Sequence, residues 1–266
     1  MSPDLFFWYA LAFKVAMTAT IVVVSVAAER SGPFIAALIA APPTAAGATY
    51  IILTLEHPPA FIAAGAIGSM AANAAVAIFA LTYAALAQRH GIVLSLAVAT
   101  FVWFAITAAL RLAEWTPAST LTLNAIVFAF TIPLSVRYRD VAVPRDAVKR
   151  SRYDLPLRAA AVALVVAVVT TASHWIGSFA SGVFAVFPIV MASFVVIMHP
   201  RAGGKAAAAV LSHAQPALVG LALGFLGVHY LAGRIGVWWS LAAGLAITMT
   251  WSAALWIVRR ARLRIA

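Results

Sequence analysis

Long apolar runs, separated by short clusters of charge, proline and glycine, set the layout of this chain. A helix needs about 20 apolar residues to cross the hydrocarbon of a bilayer. Nine runs of that order occur, at 5–28, 33–55, 59–87, 91–112, 119–136, 156–174, 178–198, 204–232 and 236–258. They are continuous and rich in Ala and Leu, without the strict alternation of a membrane barrel, so they predict helices. The pattern predicts an all-α integral membrane protein of about nine transmembrane helices. Met1-Ser2-Pro3-Asp4 stands before the first run without a basic stretch, so that run is expected to remain in the membrane.

Composition excludes the soluble alternatives. Of the 266 residues, 65% are hydrophobic and only 9% charged, whereas a globular chain is roughly a quarter charged. That leaves too little polar surface to wet a water-soluble fold of this size. The chain has no cysteine, which rules out disulfides, thiolate metal sites and cysteine nucleophiles.

The net charge of +11 would suggest nucleic acid in a soluble protein, but here its placement follows topology. Of the 18 basic residues, Lys14 lies within the first run, and Arg111 and Arg234 fall on one side; the other fifteen, including Arg89, Arg137, Arg139, Arg158, Arg201 and Arg259, fall on the opposite side. Positive-inside bias then predicts an amino terminus outside and a carboxyl terminus in the cytoplasm, and the compact, Ala-rich, loop-poor chain suggests a bacterial inner membrane. No nucleic-acid partner is expected. A minor role of the basic 137–155 loop in holding anionic lipid or a partner stays open.

The chain also resembles itself. At an offset of 145, Gly32 corresponds to Gly177, Phe34 to Phe179, Pro43 to Pro188 and Gly91 to Gly236, while Glu56-His57-Pro58 resembles Met198-His199-Pro200 after a short slip. The expected organisation is a first repeat of five spans over 1–136, a basic cytoplasmic loop over 137–155, and a second repeat of four spans with a basic tail over 156–266. Five spans separate the start of one copy from the start of the next, so the copies would be inverted. Inverted repeats are a recurrent plan of secondary transporters, with the site at their interface near the midplane.

Candidate site residues follow from depth. Pro42, Pro43 and Pro188 stand about ten residues into their spans, roughly 15 Å deep. They predict either paired helix breaks lining a substrate path or ordinary proline kinks. Thr44, Asn73 and Ser193 are polar residues at similar depth, and Ser212-His213 with Gln215-Pro216 interrupts the eighth run, where Pro216 predicts a bend. Asn73 is costly facing lipid and predicts an interior position, with a helix–helix hydrogen bond as the simpler role. His213 can carry a proton near neutral pH or serve as a hydrogen-bonded interior residue. Lys14 and its repeat partner Arg158 either snorkel to headgroups or guard the mouths of an anion path. Glu56-His57, His174 and His199-Pro200 fall at span ends, where solvation and capping compete with gating. Glycines at 65, 68, 220, 224 and 227, with Ser69 and Ala72, predict close helix approach and offer faces for a homodimer.

No carboxylate falls at the midplane, and the histidines are dispersed without an HExxH or GxSxG pattern. An enzyme is not expected, nor a cofactor or a metal. The functional expectation is a small secondary transporter working by alternating access on a small metabolite, an organic anion by mild preference, with the lipid bilayer as its other partner. The competing expectation is a non-catalytic membrane scaffold or accessory subunit.

Overall fold

The computed structural model describes residues 44–139, 141 and 154–265, and all regular structure among them is helical. The elements are α1 (Thr44–Glu56), α2 (Pro59–Leu86), α3 (Ile92–Leu110), α4 (Pro117–Val136), α5 (Asp154–Ala185), α6 (Ile189–Ala214), α7 (Ala217–Leu231) and α8 (Val237–Ile265). Among the described residues, five helices are long and apolar enough to cross a bilayer, or six if α6 and α7 form one bent span. They mark a multi-pass membrane protein. The first apolar run lies outside the described residues, and the second is described only from Thr44.

Local chemistry sets the helix starts. Pro59 occupies the first turn of α2, where its missing N–H costs nothing, after an extended Pro58. Thr116 caps α4 with its hydroxyl on the Ser119 N–H, while the Ser119 hydroxyl accepts from the Thr116 N–H. Glycine sets two interruptions. Gly177 inside α5 (φ 80°, ψ 173°) and Gly203 inside α6 (φ 84°, ψ 162°) adopt backbone angles that belong almost exclusively to glycine. The expected span at 178–198 is therefore two short helical pieces around a turn before Pro188, and the expected span at 204–232 is bent by 42° between α6 and α7.

The repeat-related triplets differ locally. Glu56-His57-Pro58 closes α1 and turns into α2, whereas Pro200 lies inside α6 and the break waits until Gly203.

The helices are arranged around α2, which packs against α3, α4, α5, α6 and α7. Its most apolar stretch is 78% buried inside the protein, against 17% for α8 and 22% for α3. The peripheral helices instead present Phe101, Phe130, Leu164 and Trp239 outward, side chains that lipid solvates at no cost. Small residues let α2 sit at the centre. A Cβ on Gly68 would meet the main-chain oxygen of Phe179, and one on Gly182 that of Gly65, so backbones touch where α2 crosses α5. Gly220, Gly224 and Gly227 fit against Trp251, Gly244 and Ile247 of α8 in the same way. The glycines read in the sequence as close-approach positions thus pack within the chain.

Candidate functional site

The crossing of α2 with the broken α6–α7 unit holds the buried carboxamides Asn73 and Gln215 and the buried Ser212. Ala63, Asn73 and Ala77 along α2, and Ala87 capping its end, meet His229, Leu218, Gln215 and Gly204 in that order. Rising positions on one meet falling positions on the other, so the two run antiparallel.

At the middle of this crossing the Asn73 amide donates to the Leu218 oxygen at 2.9 Å and to Asn124 Oδ1 at 3.1 Å. Gln215, in the break between α6 and α7, donates to the Ala77 oxygen at 2.8 Å. Each carboxamide reaches the backbone of the opposite element. Asn124 completes the group by donating to Met70 and Thr120 oxygens at 2.7 and 2.8 Å, which ties α4 to α2. These donor contacts also fix which end of each amide is oxygen.

Asn73 and Gln215 are fully buried and Asn124 is 1% exposed. Among the described residues, Asn73 Oδ1, Gln215 Oε1 and the Ser212 hydroxyl find no hydrogen-bond partner. Buried acceptors of this kind are rare in folded proteins and each calls for a physical reason. The backbone of the break has its own orphan: Pro216, lacking an N–H, leaves the Ser212 carbonyl one turn earlier without its helical donor. Arg139, just beyond α4, donates to that carbonyl at 3.2 Å. Trp251 of α8 donates to the Pro216 oxygen at 2.8 Å.

The other expected site residues are distributed differently. Lys14, Pro42 and Pro43 lie outside the described residues. Thr44 opens α1. Pro188 does mark a helix start, with ψ at 41°, but it stands at the opposite end of α6 from Gln215. Ser193 is buried and donates to Val190 of its own helix at 2.9 Å. His213 is half-buried in the last turn of α6. The break that meets the central amides is therefore Gln215-Pro216. Asn124 and Arg139 were missed in the sequence. Asn124 carries the same signal as Asn73, an amide inside an apolar run, whereas Arg139 is indistinguishable from its topological neighbours.

Polar pairs also close both ends of α2. Near its start His57 Nε2 lies 2.8 Å from Ser173 Oγ on α5, and at its far end the Tyr83 hydroxyl lies 2.6 Å from His199 Nδ1 on α6. A third link runs from the Tyr50 hydroxyl to Ser69 Oγ at 2.8 Å, and from Ser69 to the Gly182 oxygen at 2.7 Å, joining α1, α2 and α5.

Comparisons with known protein families, curated proteins and solved structures find no match to this chain.

Proposed function

We propose that the chain is a small secondary transporter, whose substrate engages the crossing of α2 with the α6–α7 break. The carrying observation is the reciprocal pair Asn73 and Gln215, each holding the opposite backbone with its N–H and keeping a buried carbonyl oxygen in hand. Two acceptors and the Ser212 hydroxyl suit a small metabolite bearing O–H or N–H donors, hydroxylated organic anions included. The anion preference itself rests on Lys14, outside the described residues, and on Arg158.

The antiparallel run of α2 against 204–231 supports an inverted-repeat reading with nine spans. The interruptions at Gly177, Gly203 and Gln215-Pro216 supply elements that can rock between two access states. The basic-residue distribution supports an inner-membrane orientation with the carboxyl terminus in the cytoplasm. A scaffold is the second reading, favoured by the burial of most of α2 among small residues.

Flux in proteoliposomes against a metabolite panel, with and without imposed pH and potential gradients, tests the proposal. Asn73→Leu and Gln215→Leu are expected to abolish flux while lowering stability by only about 0.6–1.7 kcal/mol, the range of interhelical hydrogen bonds in membranes. Flux unchanged in both variants, or absent for every compound in the wild type, removes the transporter reading and leaves the scaffold.

A further inference from the structure

Glu56, His57 and His174 come from two segments more than a hundred residues apart, yet each offers one ligand atom such that all three lie within 4.8 Å of one another. We propose that this group, at the end of the bundle where α1 turns into α2, binds a borderline divalent transition metal ion such as Zn²⁺. The proposal does not depend on the transporter reading.

The argument begins at Ser173. Its hydroxyl donates to the Thr170 oxygen at 2.7 Å, so its proton is committed. The contact of 2.8 Å with His57 Nε2 must then be donated by the imidazole. That sets the tautomer: the proton sits on Nε2 and the lone pair on Nδ1. A ring N–H held by a neighbouring acceptor, with the other nitrogen presented as a base, is the arrangement found in metal-ligating histidines. Phe61 fixes the ring plane by stacking on it at 3.8 Å with only 6° between the planes.

The second imidazole, His174, follows Ser173 directly and lies 4.6 Å from the His57 ring, centre to centre. Its Nε2 is 3.9 Å from Glu56 Oε2. Around a tetrahedral ion with bonds of 2.0–2.1 Å, ligand atoms stand about 3.3 Å apart. The three atoms therefore need to close by about 1.5 Å at most, and the His174 side chain, 56% exposed, has the freedom to do so.

Two imidazoles and one carboxylate select zinc, cobalt, nickel or copper over magnesium and calcium, which prefer all-oxygen shells. Three protein ligands leave a fourth position to water. The bound ion would clamp the α1–α2 turn to α5 three residues before the Gly177 break.

The test uses the full-length protein, purified in detergent, freed of any polyhistidine tag and stripped with chelator. Titration with Zn²⁺ alone is expected to give one equivalent per chain and a raised Tm, with no response to Mg²⁺. Co²⁺ should give the visible absorption of a four-coordinate site. His174→Gln and Glu56→Gln, at partly exposed positions, should each weaken binding by tenfold or more. Ser173→Ala should weaken it about 10–100-fold by releasing the His57 ring. His199→Gln, at the other end of α2, should bind normally. Absence of saturable Zn²⁺ binding by the wild type, or equal binding by His174→Gln, overturns the site.

Discussion

Arg139 donates from Nε to the main-chain oxygen of Ser212 at 3.2 Å, taking the place of the N–H that Pro216 lacks. A cation that follows topology in the linear chain is thus also a structural partner of the helix break. The same guanidinium bonds Ser135 Oγ at 3.2 Å, which holds it against the end of α4.

A double-mutant cycle tests this relationship. Arg139→Leu leaves the Ser212 carbonyl short of a donor and should cost about 1–3 kcal/mol. Pro216→Ala restores a helical donor to the same oxygen. The loss from Arg139→Leu should therefore shrink in the Pro216→Ala background, as read from unfolding in mixed detergent micelles. Strictly additive effects would show that the contribution of Arg139 does not depend on the donor that Pro216 lacks.

The glycines at the α2–α5 crossing should be intolerant of any side chain. Gly68→Ala and Gly182→Ala place a Cβ against backbone oxygens, which cannot rotate away. Each should destabilise by about 1–3 kcal/mol through forced separation of the helices. Among the described residues nothing lies within 4 Å of a Cβ on Gly47 in α1, so Gly47→Ala should be neutral or stabilising by up to about 1 kcal/mol. Thermal melting of the three variants side by side checks the ordering.

Gly177→Ala and Gly203→Ala test backbone conformation alone. Among the described residues neither Cβ would meet an atom within 4 Å, yet φ is 80° and 84°. A loss of about 1–3 kcal/mol at each site is expected from the backbone strain. Melting curves indistinguishable from wild type would mean that these breaks relax into continuous helix without cost.

Asp154 and Arg201 form a bidentate pair with both contacts at 2.6 Å, joining the start of α5 to α6. Arg201 is 34% exposed and Asp154 14%, and exposed pairs contribute about 0–1 kcal/mol, with bidentate geometry at the upper end of that range. Asp154→Asn should change stability by less than about 1 kcal/mol, and the difference should fall further in high salt. A large, salt-insensitive loss would contradict this.

Much of the architecture was legible because it is written locally. The runs at 59–87, 91–112 and 119–136 match α2, α3 and α4 to within a few residues, since hydropathy and the proline and glycine punctuation are properties of neighbouring residues. The run boundary near Gly177 also coincides with a real break. The second half was harder to read. Helical hydrogen bonding continues past it to Ala185, although the bend at Pro216 in the run at 204–232 was legible from the proline itself. Apolar runs report where a chain can be helical, whereas bends depend on which neighbours satisfy the freed carbonyls.

Site residues divide in the same way. Asn73 stood out because an amide in an alanine-rich run needs an interior partner. Its partners, Asn124 and the Leu218 backbone, lie 51 and 145 residues away, beyond any local periodicity. His57 and His174 looked like separate, solvated span ends until the packing of α2 on α5 brought them together with Glu56.

The linear chain by itself determined a helical, lipid-solvated protein and the ends of its central helices, because burying a backbone in hydrocarbon leaves the helix as the economical solution for each segment. Tertiary structure alone decided that α2 is the hub, that Asn73 and Gln215 brace one crossing, and that Arg139 serves a carbonyl on α6. Those outcomes depend on how closely glycine-lined backbones approach, and that distance is set only when whole helices pack.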